Sequence, residues 1–368
     1  MTRIQTGVRL PMENKTVVVV DGDDASPEVM IPTVNILESM GLPITFQRPL
    51  IGQQAIDVGG NGFPDEARKA IDNSDATFFG STSGASTAAL FYLRWGKQTY
   101  ANVRPCLWTP GYKSPLANPA GIDFTIIREN LEDLYLGLEG DIEELQALNL
   151  YSKHARTPLS DLSPGKYAVK AITEAGSERV IRFAFEQARK RNAKKRLTVT
   201  CKYNMLSTSD GLFLEIANSI AKEYPDIEYD HYIVDDFLCR MIVNPQHFDV
   251  IVMPNLYGDI MSDGAAGLLG GLGLAPSGCY GQDYAYFESA HGTAPDIAGK
   301  NVINPTATLL SAAMLLEHLS FHSQAKNLVN AVQRVYATGK VLTPDQGGNS
   351  GTTDFSDAVS EELSIHPE

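Results

Sequence analysis

Two aspartates four residues apart, Asp259 and Asp263, could do chemistry together. They follow the apolar, β-branched run 248–254, which predicts a buried strand, and they stand at the start of a predicted helix. At this spacing both carboxylates project from one helical face, where like charges repel unless a positive charge lies between them. A divalent cation such as Mg²⁺ would satisfy both groups. The alternative is structural: Asp259 favours the helix N-terminus and Asp263 faces solvent.

A second candidate site follows in residues 288–300, where small residues surround one histidine, one threonine and one aspartate. Small side chains let the backbone approach a flat, polar ligand closely. His291, Thr293 and Asp296 are the polar groups that such a ligand would meet. This segment therefore predicts a binding site for a flat, polar molecule.

Three arginines, Arg94, Arg104 and Arg128, each stand at the end of an apolar run. A single arginine in such a place is more often structural or on the surface. Three of them in an acidic chain can converge on the carboxylates of a ligand, because the planar guanidinium group binds a carboxylate through two hydrogen bonds.

The composition limits the partners of the chain. Its 368 residues are 43% hydrophobic and 20% charged, as in an ordinary globular protein with two domains or one large interrupted domain. The formal net charge of −14 argues against nucleic acids and anionic membranes, because both need a basic surface. The cysteines are far apart in the sequence and predict free thiols in a reducing compartment. They are Cys106, Cys201, Cys239 and Cys279.

The expected location of the protein is the cytoplasm. Residues 1–15 are polar and lack the apolar core of a secretory signal, and no run of about 18 apolar residues predicts a membrane span. A protein of the mitochondrial matrix whose presequence had been removed would have the same features.

Alternating strand and helix patterns predict an α/β fold. Residues 17–20, 44–48 and 76–80 resemble strands, and residues 30–40 and 64–73 resemble helices. Such alternation implies a parallel sheet with crossover helices. No Gly-x-Gly-x-x-Gly motif follows the first strand, so a classical Rossmann fold is not expected. Further predicted elements are strands at 197–201 and 229–234 and helices at 174–191, 212–223, 307–319 and 323–336.

Three segments closely resemble the β-decarboxylating dehydrogenases, the family that oxidises isocitrate, 3-isopropylmalate or homoisocitrate. They are Asn255 to Asp263, His291 to Lys300 and Asn304-Pro305. The match is nearest to NAD-dependent isocitrate dehydrogenase, and the motifs occur in the family's order over most of the chain. The resemblance implies a NAD-dependent oxidative decarboxylation of a 2-hydroxy acid that bears a 3-carboxylate.

The same resemblance implies the domain organisation. Residues 1–103 and 251–368 would form a large α/β/α domain that binds the cofactor. Residues 104–250 would form a smaller, inserted α/β domain for substrate, metal and dimer contacts. Within it, residues 138–170 have weak periodicity and would form an arm that pairs with a second subunit, giving a homodimer with shared active sites or a higher oligomer.

Individual roles also come from the resemblance. Lys202 would accept the hydroxyl proton, and Tyr135 would supply a proton to C3. Asp235 of one subunit would bind Mg²⁺ or Mn²⁺ together with Asp259 and Asp263 of the other. The substrate-binding residues would be Arg94, Arg104, Arg128, Asn204, Ser83 and Leu90. The cofactor-binding residues would be Glu288, His291, Gly292, Thr293, Ala294, Pro295, Asp296, Ile297 and Asn304.

The charge of Asp296 predicts NAD as the cofactor. Its carboxylate can accept hydrogen bonds from an adenosine ribose, but it repels the 2′-phosphate of NADP. NADP-using relatives carry Lys-Tyr where this chain has Asp296-Ile297.

Two loops depart from the family pattern. The first loop, normally Gly-Asp-Gly-Ile-Gly-Pro-Glu, has Asp24 and Ser26 in place of two glycines. Enzymes that use isocitrate have Ser and Asn at the positions of Ala88 and Leu90. An apolar Leu90-Phe91 pair is similar to 3-isopropylmalate enzymes, and the short loop after the strand at 76–80 is similar to homoisocitrate enzymes.

Other motifs favour isocitrate as the substrate, namely Met253 to Asp259, Ser209 to Glu215 and Arg128 to Asn130. Isocitrate, converted to 2-oxoglutarate and CO₂ as in the tricarboxylic acid cycle, is therefore the first candidate. Homoisocitrate and 3-isopropylmalate are the alternatives. A non-catalytic regulatory subunit of an isocitrate dehydrogenase is the alternative of another class, and the retained catalytic residues argue against it.

Overall fold

The computed structural model describes residues 13–366 and divides into two compact units. The flanking unit contains the described residues up to 91 and those from 284 onwards, and the central unit contains Tyr92–Asp283. The sequence predicted divisions at 103/104 and 250/251. The central unit is larger than that prediction because the strand at 101–107 pairs with the strand at 276–280. The roles predicted for the two domains stay predictions.

The strands are numbered along the chain. They are β1 Lys15–Val20, β2 Ile44–Gln47, β3 Ala76–Phe79, β4 Ala101–Leu107, β5 Asp123–Glu129, β6 Glu139–Asp141, β7 Tyr151–Ser152, β8 Thr157–Pro158, β9 Lys166–Ala168, β10 Arg196–Cys201, β11 Glu228–Ile233, β12 Val250–Met253, β13 Pro276–Tyr280 and β14 Ala285–Ser289. In the flanking unit β14, β3, β1 and β2 lie side by side in that order and are parallel. Val17 to Val20 in β1 are at most 4% exposed, as expected for a central strand of a parallel sheet.

The helices surround these strands. They are α1 Ser26–Ser39, α2 Gln53–Asp57, α3 Asp65–Asp72, α4 Thr87–Phe91, α5 Glu174–Arg191, α6 Ser209–Ile220, α7 Val234–Val243, α8 Asn255–Leu269, α9 Thr306–His318, α10 His322–Thr338 and α11 Thr352–Ile365. Short 3₁₀ turns lie at Leu134–Leu136, Ile142–Leu148, Leu159–Leu162, Ala221–Glu223, Pro245–His247, Leu272–Leu274, Pro295–Ile297 and Pro344–Gln346, and Tyr92–Gly96 forms one turn of π-helix. The helix predicted at 174–191 is confirmed as α5. It begins where Oγ1 of Thr173 accepts a hydrogen bond from the backbone N of Gly176 at 3.0 Å, and it ends at left-handed Asn192.

The central unit contains a mixed sheet in the order β11, β10, β12, β5, β4, β13. The first four strands are parallel, but β4 runs antiparallel to both β5 and β13. The parallel pairing expected from alternating strands and helices therefore does not extend to β4. Residues 108–122, which join β4 to β5, contain three prolines and no helix, so the chain turns back without crossing over.

The predicted arm is a pair of small antiparallel ribbons. β6 pairs with β9 and β7 pairs with β8. Several large apolar side chains of this segment are at least 46% exposed, far more than a monomer's core would leave open. They are Leu138, Leu148, Leu150, Tyr151 and Leu162.

Two composition-based predictions can be compared with the structure. None of the cysteines is in a disulfide, which confirms the predicted free thiols; Cys106, Cys201 and Cys279 are buried and Cys239 is exposed. Between residues 13 and 366, no helix has both the length and the apolar character needed to cross a bilayer.

Candidate active site

The predicted aspartate pair lies on α8, which starts just after Pro254 at the carboxyl end of β12. The guanidinium of Arg104, on β4, lies between the two carboxylates. Its Nη1 is 3.5 Å from Oδ1 of Asp259 and 3.3 Å from Oδ1 of Asp263, and it donates to Oγ of Ser262 at 2.7 Å. In the isolated chain the repulsion between the aspartates is thus relieved by an arginine.

The two aspartates have different proton affinities. Burial raises the pKa of Asp263, and the charge of Asp259 adds to this rise against the opposing charge of Arg104. Burial also disfavours the ionised form of Asp259. However, the charges of Arg128 and Arg104 and a hydrogen bond from Tyr135 outweigh burial and lower the pKa of Asp259. Asp259 is therefore a carboxylate at neutral pH.

Arg128 is the most buried charge of the site, with 1% of its surface exposed. From β5, its Nε donates to Oδ1 of Asn255 at 2.8 Å, and its Nη1 donates to Oδ1 of Asp259. Gly258 makes this approach possible, because a Cβ there would lie 2.5 Å from Cγ of Arg128. Burial lowers the pKa of Arg128 to about 10, helped by the charges of Arg104 and Arg94, and the group stays charged at neutral pH.

Tyr135 joins the cluster from the 3₁₀ turn Leu134–Leu136. Its Oη donates to Oδ2 of Asp259 at 2.5 Å, and its ring faces the guanidinium of Arg128, whose Cζ is 4.9 Å from the ring centroid. Burial, followed by the hydrogen bond and charge of Asp259, raises the pKa of the Tyr135 phenol. The phenol is therefore protonated at neutral pH and can donate its proton.

The arginines retain unused hydrogen-bond donors. Nε of Arg104 and Nη2 of Arg128 are buried and have no hydrogen-bond partner among residues 13–366. Arg94, on the π-helical turn, adds its charge to the field at Asp259 and Arg128. Buried donors without acceptors are costly, so this arrangement fits a ligand that brings carboxylate oxygens.

Lys202 and Asp235 form a separate pair at the ends of β10 and β11. Nζ of Lys202 lies 2.5 Å from Oδ1 of Asp235, and this hydrogen bond lowers the pKa of the aspartate. The side chain of Asp235 is 68% exposed, and Asn204 is also exposed. Both charged groups are thus accessible at the surface of the central unit.

The donors for a divalent cation are incomplete in a single chain. Among residues 13–366, no group of three acidic, histidine or cysteine side chains converges as metal ligands would. Asp259 and Asp263 offer carboxylate oxygens, which suit Mg²⁺ and Mn²⁺. The donor set therefore fits such an ion only if another molecule supplies the remaining oxygens, as the predicted dimer would.

The predicted cofactor residues lie in the flanking unit, where β14 runs into residues 290–300. Nδ1 of His291 donates to O of Gly292 at 2.8 Å, and its Nε2 is buried without a hydrogen-bond partner among the described residues. Burial lowers the pKa of His291, so the imidazole is neutral and Nε2 can accept a hydrogen bond. The 3₁₀ turn Pro295–Ile297 carries Asp296, which is exposed.

Two other predicted cofactor residues, Thr293 and Asn304, form hydrogen bonds within the flanking unit. The carbonyl of Thr293 accepts from the backbone N of Ala25 at 3.0 Å. Nδ2 of Asn304 donates to Oη of Tyr336 at 3.1 Å and to Oδ2 of Asp345 at 3.0 Å. Gly292 and Pro295 are exposed, and Glu288 is 8% exposed at the end of β14.

Asp23, in the first loop, makes contacts that the sequence did not predict. The carboxylate of Asp23 accepts from Oγ1 of Thr82 at 2.8 Å, from the backbone N of Ser83 at 2.9 Å and from Oγ of Ser86 at 3.0 Å. It thus ties the loop after β1 to the loop after β3. A carboxylate in the loop that follows a buried strand was the available signal.

The departures from the family loop are accommodated locally. Asp24 has φ +52°, a left-handed conformation that aspartate tolerates better than most residues. The predicted substrate residues Ser83 and Leu90 lie in the same unit: Ser83 is exposed, and Leu90 is half-buried on the short helix α4. Phe91, the next residue, is 52% exposed.

Glu129 follows Arg128 and is 2% exposed. Its carboxylate accepts from the backbone N of Leu131 at 2.8 Å and of Glu132 at 2.9 Å. Burial nevertheless raises its pKa from 4.5 to about 7. The folded protein therefore binds a proton that the unfolded chain releases at lower pH.

The free energy of unfolding is therefore expected to fall as pH rises from about 4.5 to about 7, by on the order of 3 kcal/mol. In a Glu129→Gln variant this fall should be absent, because the amide does not titrate. Urea unfolding at several pH values within this window measures it, with Glu215→Gln, an exposed glutamate on α6, as the control. An unchanged slope in Glu129→Gln would assign the pH dependence to other groups.

A family model described as isocitrate/isopropylmalate dehydrogenase matches residues 16–359, nearly the whole chain. The chain belongs to the isocitrate/isopropylmalate dehydrogenase family. The predicted family resemblance and fold class are both confirmed.

Individual members of the isocitrate/isopropylmalate dehydrogenase family are similar over most of their lengths. A 3-isopropylmalate dehydrogenase of Archaeoglobus fulgidus is 39% identical over 352 residues, which cover 95% of this chain and 99% of that protein. The mitochondrial alpha subunit of NAD isocitrate dehydrogenase of Bos taurus is 37% identical over 350 residues, which cover 94% and 89%. The crystal structure of isocitrate dehydrogenase from Methylococcus capsulatus gives a TM-score of 0.84 at 35% identity, covering 95% of this chain and 99% of that one.

As a member of the isocitrate/isopropylmalate dehydrogenase family, this chain is a decarboxylating dehydrogenase that acts on small hydroxy-carboxylates. The prediction of an enzyme is thereby confirmed. Relatives named for 3-isopropylmalate and for isocitrate have nearly equal identities, so identity alone does not select the substrate.

Proposed function

We propose that the protein catalyses the NAD-dependent oxidative decarboxylation of isocitrate to 2-oxoglutarate and CO₂. One observation carries this proposal: in an acidic chain, buried arginines with unused donors surround a carboxylate pair and a protonated tyrosine. A multiply charged carboxylate is the ligand that satisfies these donors. The same cluster contains a proton donor within hydrogen-bond distance of an ionised carboxylate.

The arginines have the binding role in this mechanism. Nε of Arg104 and Nη2 of Arg128 donate to substrate carboxylates, and Arg94 adds positive charge. Holding the carboxylates fixes the orientation of C2 and C3, and such positioning contributes a large share of an enzyme's rate gain. The buried, rigid guanidinium of Arg128 makes the orientation reproducible.

Asp259 and Asp263, with Asp235 of a second subunit, would hold Mg²⁺ or Mn²⁺. When bound, such a cation acidifies the substrate hydroxyl and acts as a Lewis acid on the oxygen of the keto acid. Nζ of Lys202, from the second subunit, accepts the proton from the 2-hydroxyl when it is an uncharged amine. Oη of Tyr135 supplies the proton to C3 when CO₂ has left, and its raised pKa keeps that proton in place until then.

Exposed groups on the chain support a role for a second subunit. Lys202 and Asp235 are accessible in the isolated chain, and apolar side chains of the arm and of α7 are uncovered, including Leu148, Leu162 and Val243. A homodimer that covers this apolar surface would bring Lys202 of one chain towards Asp259 of the other. If the protein sedimented as a monomer at a concentration at which it was fully active, this assembly would be contradicted.

The substrate can be tested directly. Purified protein with NAD⁺ and Mg²⁺ is mixed with isocitrate, homoisocitrate, 3-isopropylmalate or malate, and the absorbance of NADH is followed. Isocitrate should give the highest kcat/KM. The second candidate is 3-isopropylmalate, which the exposed Phe91 and the half-buried Leu90 favour because they suit an apolar substituent. Turnover of malate alone, or of none of the four, would overturn the proposal, and binding without turnover would support a regulatory subunit.

The choice of NAD over NADP is expected to depend on Asp296. A carboxylate about 4 Å from a phosphate charge costs roughly 1 to 4 kcal/mol, so kcat/KM for NADP should be about 5- to 10³-fold below that for NAD. Asp296→Asn should recover most of this loss for NADP while changing kcat/KM for NAD less. Asp65→Asn, which removes an exposed carboxylate on α3, is the matched control. Equal use of both nucleotides by the unaltered protein would refute the role of Asp296.

A further inference from the structure

Lys170 lies inside the central unit between two buried carboxylates. Its Nζ is 2.5 Å from Oδ1 of Asp210 and 3.4 Å from Oδ1 of Asp133, and both aspartates are fully buried. The ammonium group also lies over the ring of Tyr257, 4.5 Å from the centroid, and 3.4 Å from its Oη. Only 14% of the lysine side chain is exposed.

The second oxygen of each aspartate accepts a hydrogen bond from a backbone amide. Oδ2 of Asp210 accepts from the backbone N of Lys202 at 2.7 Å. Oδ2 of Asp133 accepts from the backbone N of Leu256 at 2.9 Å. Leu256 lies in the first turn of α8, the helix that carries the aspartate pair of the site.

Asp133 also fixes the segment that leads to Tyr135. It adopts φ +69°, and its backbone N donates to O of Ala171 at 2.9 Å. This conformation is uncommon for a residue with a side chain and persists where surrounding contacts hold it. The contacts of the Asp133 carboxylate therefore support the position of the turn that bears Tyr135.

We propose that Lys170 is a positioning residue for the decarboxylation: one ammonium group holds the two aspartates that fix the strand end at Lys202, the first turn of α8 and the turn bearing Tyr135. This inference rests on the proposed function, because it takes those three segments as the ones that carry the chemistry. Lys170 itself touches none of the reacting atoms. It acts only through Asp133 and Asp210.

Charge explains why a lysine is needed at this place. Asp133 and Asp210 are both withdrawn from water, and without the ammonium group they would repel each other in a medium of low dielectric constant. Two unpaired buried carboxylates would separate or take up protons. Either response weakens their hydrogen bonds to the amides of Lys202 and Leu256.

The principal test is the Lys170→Met variant, which keeps the length of the side chain but removes its charge. A misplacement of catalytic groups by about 1 Å can cost about 10²-fold, so kcat should fall by about that factor. KM for NAD⁺ should change by less than about twofold, because the nucleotide residues lie in the flanking unit. Lys222→Met, which removes an exposed lysine of the central unit, is the matched control.

A double variant separates positioning from loss of folding. In Lys170→Met/Asp210→Asn the cluster regains the net charge of the wild type, and the asparagine oxygen can still accept from the amide of Lys202. We expect kcat to recover at least about tenfold relative to Lys170→Met. A double variant as slow as Lys170→Met would count against the charge argument.

Hydrogen exchange followed by mass spectrometry provides a readout besides activity. In Lys170→Met, peptides containing the amides of Lys202 and Leu256 should exchange faster, and peptides of β1 should not change. If no hydroxy acid is turned over, the proposed function fails, but the exchange result still tests the positioning role. Unchanged exchange at both amides together with normal kcat would overturn the role of Lys170.

Discussion

Replacing Lys202 with methionine is expected to lower the turnover number by about 10³-fold, because the oxidation then lacks its proton acceptor. Nζ of Lys202 lies 2.5 Å from Oδ1 of Asp235, and the lysine side chain is 29% exposed. Methionine has a similar length, so the variant loses a charge at an accessible position without creating a cavity. The melting temperature should therefore stay close to that of the wild type.

The measurement is kcat at saturating substrate and cofactor, with Lys222→Met, which removes an exposed lysine of the same unit, as the control. Tyr135→Phe should behave differently, because it removes the proton donor for C3 and leaves oxidation of the hydroxyl possible. In that variant CO₂ should still leave, and protonation of the resulting enol at C3 should become the slow step. Normal turnover of every hydroxy acid by Lys202→Met would refute the assignment of the base.

Asp259→Asn is expected to have an effect of similar size. The amide keeps the shape of the carboxylate but loses its charge, and with it the ion pairs to Arg128 and Arg104 and the strong acceptor for Tyr135. Affinity for Mn²⁺ should fall by more than about 10²-fold. Removing a residue that only hydrogen-bonds to a metal ligand already lowers metal affinity by up to about 10²-fold. Activity should fall by about 10³-fold in parallel.

Electron paramagnetic resonance of free Mn²⁺ during a titration measures this affinity without any turnover. Asp236→Asn is a suitable control, because Asp236 is exposed next to Asp235 and accepts from Nε of Arg240 at 2.7 Å. If Asp259→Asn bound Mn²⁺ as tightly as the unaltered protein, Asp259 would not be a metal ligand.

The two inactive variants also provide a test of shared sites. In a mixed dimer of one Lys202→Met chain and one Asp259→Asn chain, one site receives both intact residues and the other site receives both altered ones. Refolding an equimolar mixture should therefore restore about a quarter of the wild-type activity, as random pairing in a two-fold dimer requires. A mixture that stays inactive would place both residues in a site made by one chain.

Local patterns in the sequence predicted local structure well. The run Val17 to Val20 is a buried strand, and the predicted helix 174–191 has the observed limits because a threonine cap and a left-handed asparagine define its ends. The placement of Asp259 and Asp263 on one helix was likewise predictable. Each of these features depends on residues that are close together in the chain.

Contacts between distant segments were not predictable from such patterns. The guanidinium between Asp259 and Asp263 comes from β4, and the partners of Lys170 are far from it in the sequence. Periodicity indicates which face of an element is buried but not which charges meet there. The same limit applies to the antiparallel direction of β4, which depends on a connection without a helix. The site assignments themselves came from family resemblance and stay predictions.

The missing side chain at Gly258 has a consequence for how this enzyme could change. A methyl group there would occupy the space of Cβ and Cγ of Arg128, so any other residue would push the guanidinium off α8. Substitutions that only reshape the loop near Leu90 leave that support intact, and under the proposed function they are expected to alter preference among related acids. Divergence or engineering towards new substrates is therefore expected to proceed through changes in the loop. Position 258, in contrast, has to stay glycine if Arg128 is to keep its place beside Asp259.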